Sequence, residues 1–114
     1  MGKLVERPWG NFEVLLEAEG YLVKRLLVHP DSKLSLQSHS HRSEHWVIVE
    51  GEGRVTLGQE DFLKKKDEHV YIPKGVKHRL ANGTGTDLVL VEVQSGDRLS
   101  EDDIVRYEDV YGRV

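Results

Sequence analysis

Apolar and polar residues alternate along most of this chain with a period of two, in short runs broken by Gly, Pro, Asn and Asp. The runs Phe12 to Leu16, Tyr21 to Val28, Leu34 to Ser38, His45 to Val49, Arg54 to Leu57, Val70 to Ile72, His78 to Leu80 and Leu88 to Gln94 are rich in Val, Leu, Ile and aromatic residues. That is the composition of strands whose side chains point to opposite faces in turn. Turn residues separate them at Glu19-Gly20, Pro30-Asp31, Gly51-Glu52-Gly53, Pro73-Lys74-Gly75 and Asn82-Gly83. Short strands at this spacing predict an all-β sandwich or small barrel. Only the tail reads differently. Ser100 followed by Glu101-Asp102-Asp103 has the form of a helix N-cap with acidic residues in the first turn, which predicts a short helical segment from Asp102 to Arg106. No linker, repeat or low-complexity stretch interrupts residues 1–114, so a single domain is expected.

Composition narrows the function. A chain of 114 residues with 38% hydrophobic content can close one core. A net charge of −4 argues against a nucleic-acid binder, which carries a basic excess. There is no cysteine, so any metal must be held by His, carboxylate or amide groups. No apolar run approaches the roughly 20 residues needed to span a bilayer, and the start is unlike a signal peptide. A cytoplasmic protein with no membrane partner is expected.

Chemistry concentrates in Gln37-Ser38-His39-Ser40-His41-Arg42-Ser43-Glu44-His45-Trp46, just ahead of the apolar run Val47-Ile48-Val49. Strand alternation can put Gln37, His39 and His41 on one face, and Glu44 on one face with Trp46 and Ile48. A turn built from Pro73 and Gly75 delivers His78 at the head of a later strand. Lone histidines are ordinarily solvated or hydrogen-bonded, but two such segments converging in a β fold make a metal centre.

Glu44 placed seven residues before Gly51, with the later Pro73-x-Gly75-x-x-His78-x-x-x-Asn82, resembles the two motifs of the cupin superfamily. That resemblance implies a double-stranded β-helix, or jelly roll, and a metal held by Gln37, His39, Glu44 and His78, with Gln37 standing where the usual pattern has His. Arg7-Pro8-Trp9-Gly10, the Gln37 to Trp46 block, Ile72 to Asn82, and the tail from Glu92 through Glu101-Asp102-Asp103-Ile104-Val105-Arg106 to Arg113 resemble the type II mannose-6-phosphate isomerase domain. In that family the domain usually follows a guanylyltransferase domain. These residues hold no nucleotidyltransferase phosphate loop, and a stand-alone domain is expected.

Interconverting an aldose and a ketose moves a proton between C1 and C2, so the site needs a base, an oxyanion stabiliser and a phosphate anchor. A divalent ion on a mixed nitrogen and oxygen set, whether Zn, Mn, Co, Ni or Fe, can polarise the sugar oxygens. Leu88, Leu90, Glu92 and Gln94 share a strand face, which makes Glu92 a candidate base; the alternative is a rim carboxylate paired with an arginine. His45 is the other candidate base, although strict alternation turns it away from Glu44 unless a bulge intervenes. Arg42 is the first candidate to hold phosphate or developing charge, and Arg7, Lys24, Gln94 and Arg106 are further substrate-binding candidates. Trp9 and Trp46 are expected to pack in the core.

Three functions fit these residues: a metal-dependent mannose-6-phosphate isomerase, a cupin enzyme acting on another sugar phosphate or nucleotide sugar, and a non-catalytic metal- or sugar-binding module. A sandwich this small exposes edge strands, and a homodimer is expected, with Leu4, Val5, Val14 and Leu16 contributing.

Overall fold

The computed structural model describes residues 3–113. Two antiparallel sheets stack face to face. The larger runs in the order β1-β2-β3-β11-β6-β9, comprising β1 (Leu4–Arg7), β2 (Gly10–Ala18), β3 (Tyr21–Val28), β11 (Leu88–Gly96), β6 (Arg42–Glu50) and β9 (His69–Ile72). The smaller runs β12-β5-β10-β7-β8, comprising β12 (Val105–Glu108), β5 (Leu36–Ser38), β10 (His78–Asn82), β7 (Glu52–Leu57) and β8 (Glu60–Lys65), with β4 (Ser32–Lys33) beside β10. Strands such as β6 and β11 are neighbours in space but far apart in sequence, the jelly-roll arrangement. Among the described residues no helix is long and apolar enough to cross a membrane.

The inward face of β3, β11 and β6 changes character along its length. Register places Val28 beside Leu88, then Leu26, Leu90 and Ile48 in one row, then Lys24, Glu92 and Trp46, then Leu22, Gln94 and Glu44, and finally Gly96 beside Arg42. One end is therefore a floor of aliphatic side chains, closed from the other sheet by Val55 and Leu80. Each fully buried Leu, Ile or Val contributes about 1.5–3 kcal/mol. The other end buries Lys24, Arg42, Glu44, Glu92 and Gln94, groups whose desolvation opposes folding unless they find partners. Stability comes from the apolar end and the candidate chemistry occupies the polar one.

Besides the two-residue β4, three strands among the described residues lie outside the expected runs. β8 is charged along most of its length and pairs only with β7, as suits an edge strand, and only Phe62 packs partly against the core. β1 pairs only with β2. The third corrects the expected helix at Asp102 to Arg106. The Ser100 hydroxyl does accept the Asp102 N–H at 3.1 Å, but the chain makes a single turn and then enters β12. There it pairs with β5, Val105 opposite Ser38 and Arg106 opposite Gln37. A cap without an apolar stripe behind it is satisfied by a turn. Of the residues expected at a dimer contact, Val5 and Val14 pack against the protein's own core, while Leu4 and Leu16 are exposed.

Gly96 is where the polar end closes. A Cβ built there would sit 2.0 Å from the His41 carbonyl oxygen and 3.0 Å from the Arg42 Cα, both backbone atoms that cannot swing aside. Gly96→Ala is expected to destabilise the protein by about 1–3 kcal/mol, measured as a lower midpoint in urea unfolding with an unchanged slope.

Candidate metal centre and substrate cavity

His39, Glu44 and His78 converge at the polar end, with one ligand atom of each lying within 4.8 Å of the others. Glu44 arrives from the inward face of β6 and His78 from the first residue of β10, opposite Gln37 on β5. His39 follows β5 directly. Both imidazoles are oriented from behind. His39 Nδ1 donates to the Asp103 carbonyl at 2.6 Å and His78 Nδ1 donates to the Val76 carbonyl at 2.9 Å. A carbonyl can only accept, so in each neutral ring Nδ1 carries the proton and Nε2 keeps its lone pair, the arrangement of a metal-ligating histidine. The Gln37 amide spends its Nε2 donors on Ser35, 2.9 Å to Oγ, which leaves Oε1 as the free donor atom. This donor chemistry fits a divalent ion of the nitrogen- and oxygen-loving class.

Electrostatics prepare the same atoms. Burial pushes His39 down to about 4 and also lowers His78, so both rings are neutral at physiological pH. Burial alone would raise the Glu44 carboxyl. The positive charge of Arg42, aided by the hydrogen bond from the Trp46 indole N–H, outweighs it and holds Glu44 below the usual carboxylate range. Arg42 donates from Nε to Glu44 Oε2 at 2.8 Å and from Nη2 to His39 Nε2 at 3.2 Å, while Trp46 Nε1 donates to Glu44 Oε1 at 2.8 Å. An ion held by His39 would need the Nε2 lone pair that Arg42 uses here.

Beside the triad lies a partly open cavity lined by Trp9, Phe12, Gln37, Glu44, His78 and Leu80. Its wall carries Glu92, whose carboxyl is pushed up to about 8 by burial first and the Glu44 charge second, against the opposing pull of Lys24, Arg42 and a hydrogen bond from Gln94. Gln94 donates to Glu92 Oε1 at 2.5 Å and leaves its own buried Oε1 without a partner among the described residues, an acceptor for a ligand hydroxyl. Cationic side chains gather around the same space: Arg7, Lys24, Arg42, Arg106 and Arg113 all line it. Lys24 is already engaged, paired with Glu101 and seated over the Phe12 ring. Arg106 has a buried Nε without a partner among the described residues.

The structure places Gln37, Arg42, Glu44, His78, Glu92, Gln94, Arg7, Lys24 and Arg106 around this cavity, with His39 beside Glu44. It separates His45. That side chain points to the outer face of the large sheet and packs on Tyr71, with ring centroids 4.7 Å apart. β6 keeps regular register through Glu44, His45 and Trp46, so no bulge turns it inward. The shared face of Gln37, His39 and His41 also fails: β5 ends at Ser38, and His41 lies half exposed on the rim, 3.8 Å from Asp97. Trp9 and Trp46 are core residues that also line the cavity. Sequence reasoning passed over Arg113, which Asp109 grips through Nε at 2.5 Å and Nη2 at 3.1 Å. It also passed over Glu101 and Asp103 as site residues; the i,i+4 spacing of Asp109 and Arg113 is the one local signal available.

Residues 1–109 match the family described as Mannose-6-phosphate isomerase C-terminal. The xanthan biosynthesis protein XanB of Xanthomonas campestris pv. campestris is 50% identical over 110 residues, 96% of this chain and 24% of that protein. The mannose-1-phosphate guanylyltransferase ManC of Salmonella typhimurium is 49% identical over 114 residues, 100% of this chain and 24% of that protein. The chain therefore spans about a quarter of the length of these curated relatives. Among solved structures it is similar to the Schizosaccharomyces pombe Cnp3 cupin domain, with a TM-score of 0.77 at 19% identity over 83% of this chain and 69% of that one, a likeness of fold. The sequence match from end to end and the shared architecture agree: the chain belongs to the Mannose-6-phosphate isomerase C-terminal family, built on the cupin fold.

Proposed function

We propose that this protein interconverts mannose 6-phosphate and fructose 6-phosphate in a metal-dependent reaction. The observation that carries the reading is a His-Glu-His triad with both Nε2 lone pairs on the Glu44 side, beside one cavity that holds a carboxyl poised near neutrality and a ring of guanidinium groups. A divalent ion held by Gln37, His39, Glu44 and His78 would polarise the sugar oxygens around C1 and C2. The chain's own residues do the rest. Glu92 in its ionised form takes the proton from C2 and returns it to C1, and its raised pKa keeps acid and base forms both accessible near neutral pH. Gln94 Oε1 accepts a sugar hydroxyl, which settles its missing partner. Arg7, Arg106 and Arg113 supply planar donors for the phosphate, and Arg42 lies beside Glu44 to meet charge that develops during proton transfer.

The relatives support the sugar-phosphate setting through their names, one a mannose-1-phosphate guanylyltransferase and the other a xanthan biosynthesis protein. The test is direct. Metal-stripped protein reloaded in turn with Zn, Mn, Co, Ni and Fe is assayed with mannose 6-phosphate and, in reverse, fructose 6-phosphate. Turnover in both directions with at least one metal, abolished by chelation, is the expected result; no turnover with any metal overturns the proposal.

A further inference from the structure

We infer that Asp103 is a positioning residue of the metal centre, joining the His39 ligand and its loop to the segment that roofs the cavity. The inference rests on the metal-binding reading above. Asp103 is only 7% exposed although it lies in an irregular stretch between β11 and β12. It makes hydrogen bonds to three consecutive residues. Its carbonyl accepts His39 Nδ1 at 2.6 Å, its Oδ1 accepts the Ser40 N–H at 2.9 Å, and its Oδ2 accepts the His41 N–H at 2.9 Å.

The reason such an anchor is needed lies in β5. That strand stops at Ser38, so the amides of Ser40 and His41 have no neighbouring strand to donate to, and unpaired amides near the protein interior are costly. The Asp103 carboxylate replaces the missing strand, with charge-assisted bonds stronger than the neutral kind. Its carbonyl at the same time fixes the ring orientation of His39, whose Nε2 then faces Glu44, 3.4 Å from Oε2.

The consequence is a coupling. Residues 97–104 carry Glu101, which pairs with Lys24, and Ile104, both on the cavity wall, before the chain reaches Arg106. An ion that immobilises His39 therefore also immobilises Asp103 and the roof around it. Conversely, a roof that is held in place keeps His39 aimed. Metal loading and ordering of this part of the substrate cavity become one event.

The experiment combines metal titration with hydrogen exchange. Metal-free wild type, Asp103→Asn and Tyr107→Phe are titrated with Co(II), followed by its visible absorption, and amide exchange of residues 99–105 is measured with and without the ion. Asp103→Asn keeps the shape but replaces one acceptor oxygen with a donor. Tyr107→Phe, on β12, removes a hydroxyl bond to Ser38 of β5 without touching His39, so it reports general loosening. Co(II) is expected to slow exchange of residues 99–105 in wild type. Asp103→Asn is expected to bind it about 10–100-fold more weakly with an altered spectrum, and Tyr107→Phe to bind it unchanged. The inference is overturned if Co(II) leaves exchange at 99–105 unaltered in wild type, a result that stands even should the Asn variant fail to fold. It is equally overturned if Asp103→Asn binds with wild-type affinity and spectrum, or if Tyr107→Phe weakens binding as much. Failure of wild type to bind Co(II) at all removes the metal reading itself, and this inference with it.

Discussion

Glu92→Gln is expected to lower kcat for mannose 6-phosphate isomerisation by about 10²–10⁴-fold while a full equivalent of metal remains bound. The amide preserves size and can still accept from Gln94, and Glu92 is not among the clustered ligand residues, so the lost group is the proton carrier. The pH profile carries the same signature. The wild-type carboxyl is raised to about 8 in the metal-free protein, and cations brought into the cavity lower it, so kcat/KM should rise with pH through an apparent pKa at or below about 8. The variant should lose that rise. Stability should move in the opposite sense. A carboxyl whose folded pKa is raised from 4.5 to about 8 contributes stability that is complete below the unfolded value and disappears as pH climbs through the folded value. Metal-free Glu92→Gln should therefore gain on wild type between pH 5 and pH 9, read as a difference in melting temperature that widens with pH. A variant that isomerises at the wild-type rate, with an unchanged pH profile, would remove Glu92 from the reaction.

His78→Ala should abolish stoichiometric metal, and His39→Ala should do the same. Each loses one of the two Nε2 atoms directed at Glu44, and because replacing even a group behind a ligand costs 10–100-fold in affinity, losing the ligand itself should cost more than about 100-fold. His41→Ala is the control. It lies in the same sequence block, yet its ring is on the rim beside Asp97, so its removal should leave metal content intact. Elemental analysis after dialysis against a fixed low concentration of free zinc separates the three. Full occupancy in His78→Ala, or loss in His41→Ala, would move the centre away from the site described here.

Strand alternation made much of this site readable in advance. Because side chains on β11 alternate strictly, Leu88, Leu90, Glu92 and Gln94 had to share a face, and all four are buried on it. The same rule set Glu44 against His45, and the structure obeys it without the bulge that His45 would have required. What alternation cannot reach is a segment whose partner is distant in sequence. The Asp102 to Arg106 stretch satisfies the local preference of a helix start, but pairing of β12 with β5 decides its conformation. β8 escaped notice because an edge strand needs few apolar residues. Arg113 has no periodic context, and its place on the cavity wall follows from tertiary folding and the grip of Asp109.

Both ends of the described chain serve as walls of the cavity: β1 brings Arg7 from one side, and the tail brings Arg106 and Arg113 from the other. The aliphatic floor is assembled from residues between Phe12 and Leu90. A shortened protein chosen for solubility and a sharp unfolding transition could keep that floor and lose every one of these arginines. Its boundaries would pass each biophysical criterion of a sound fragment while the arginine-lined end of the pocket had been cut away, so trimming for crystallisation or display should be judged by ligand retention rather than by foldedness.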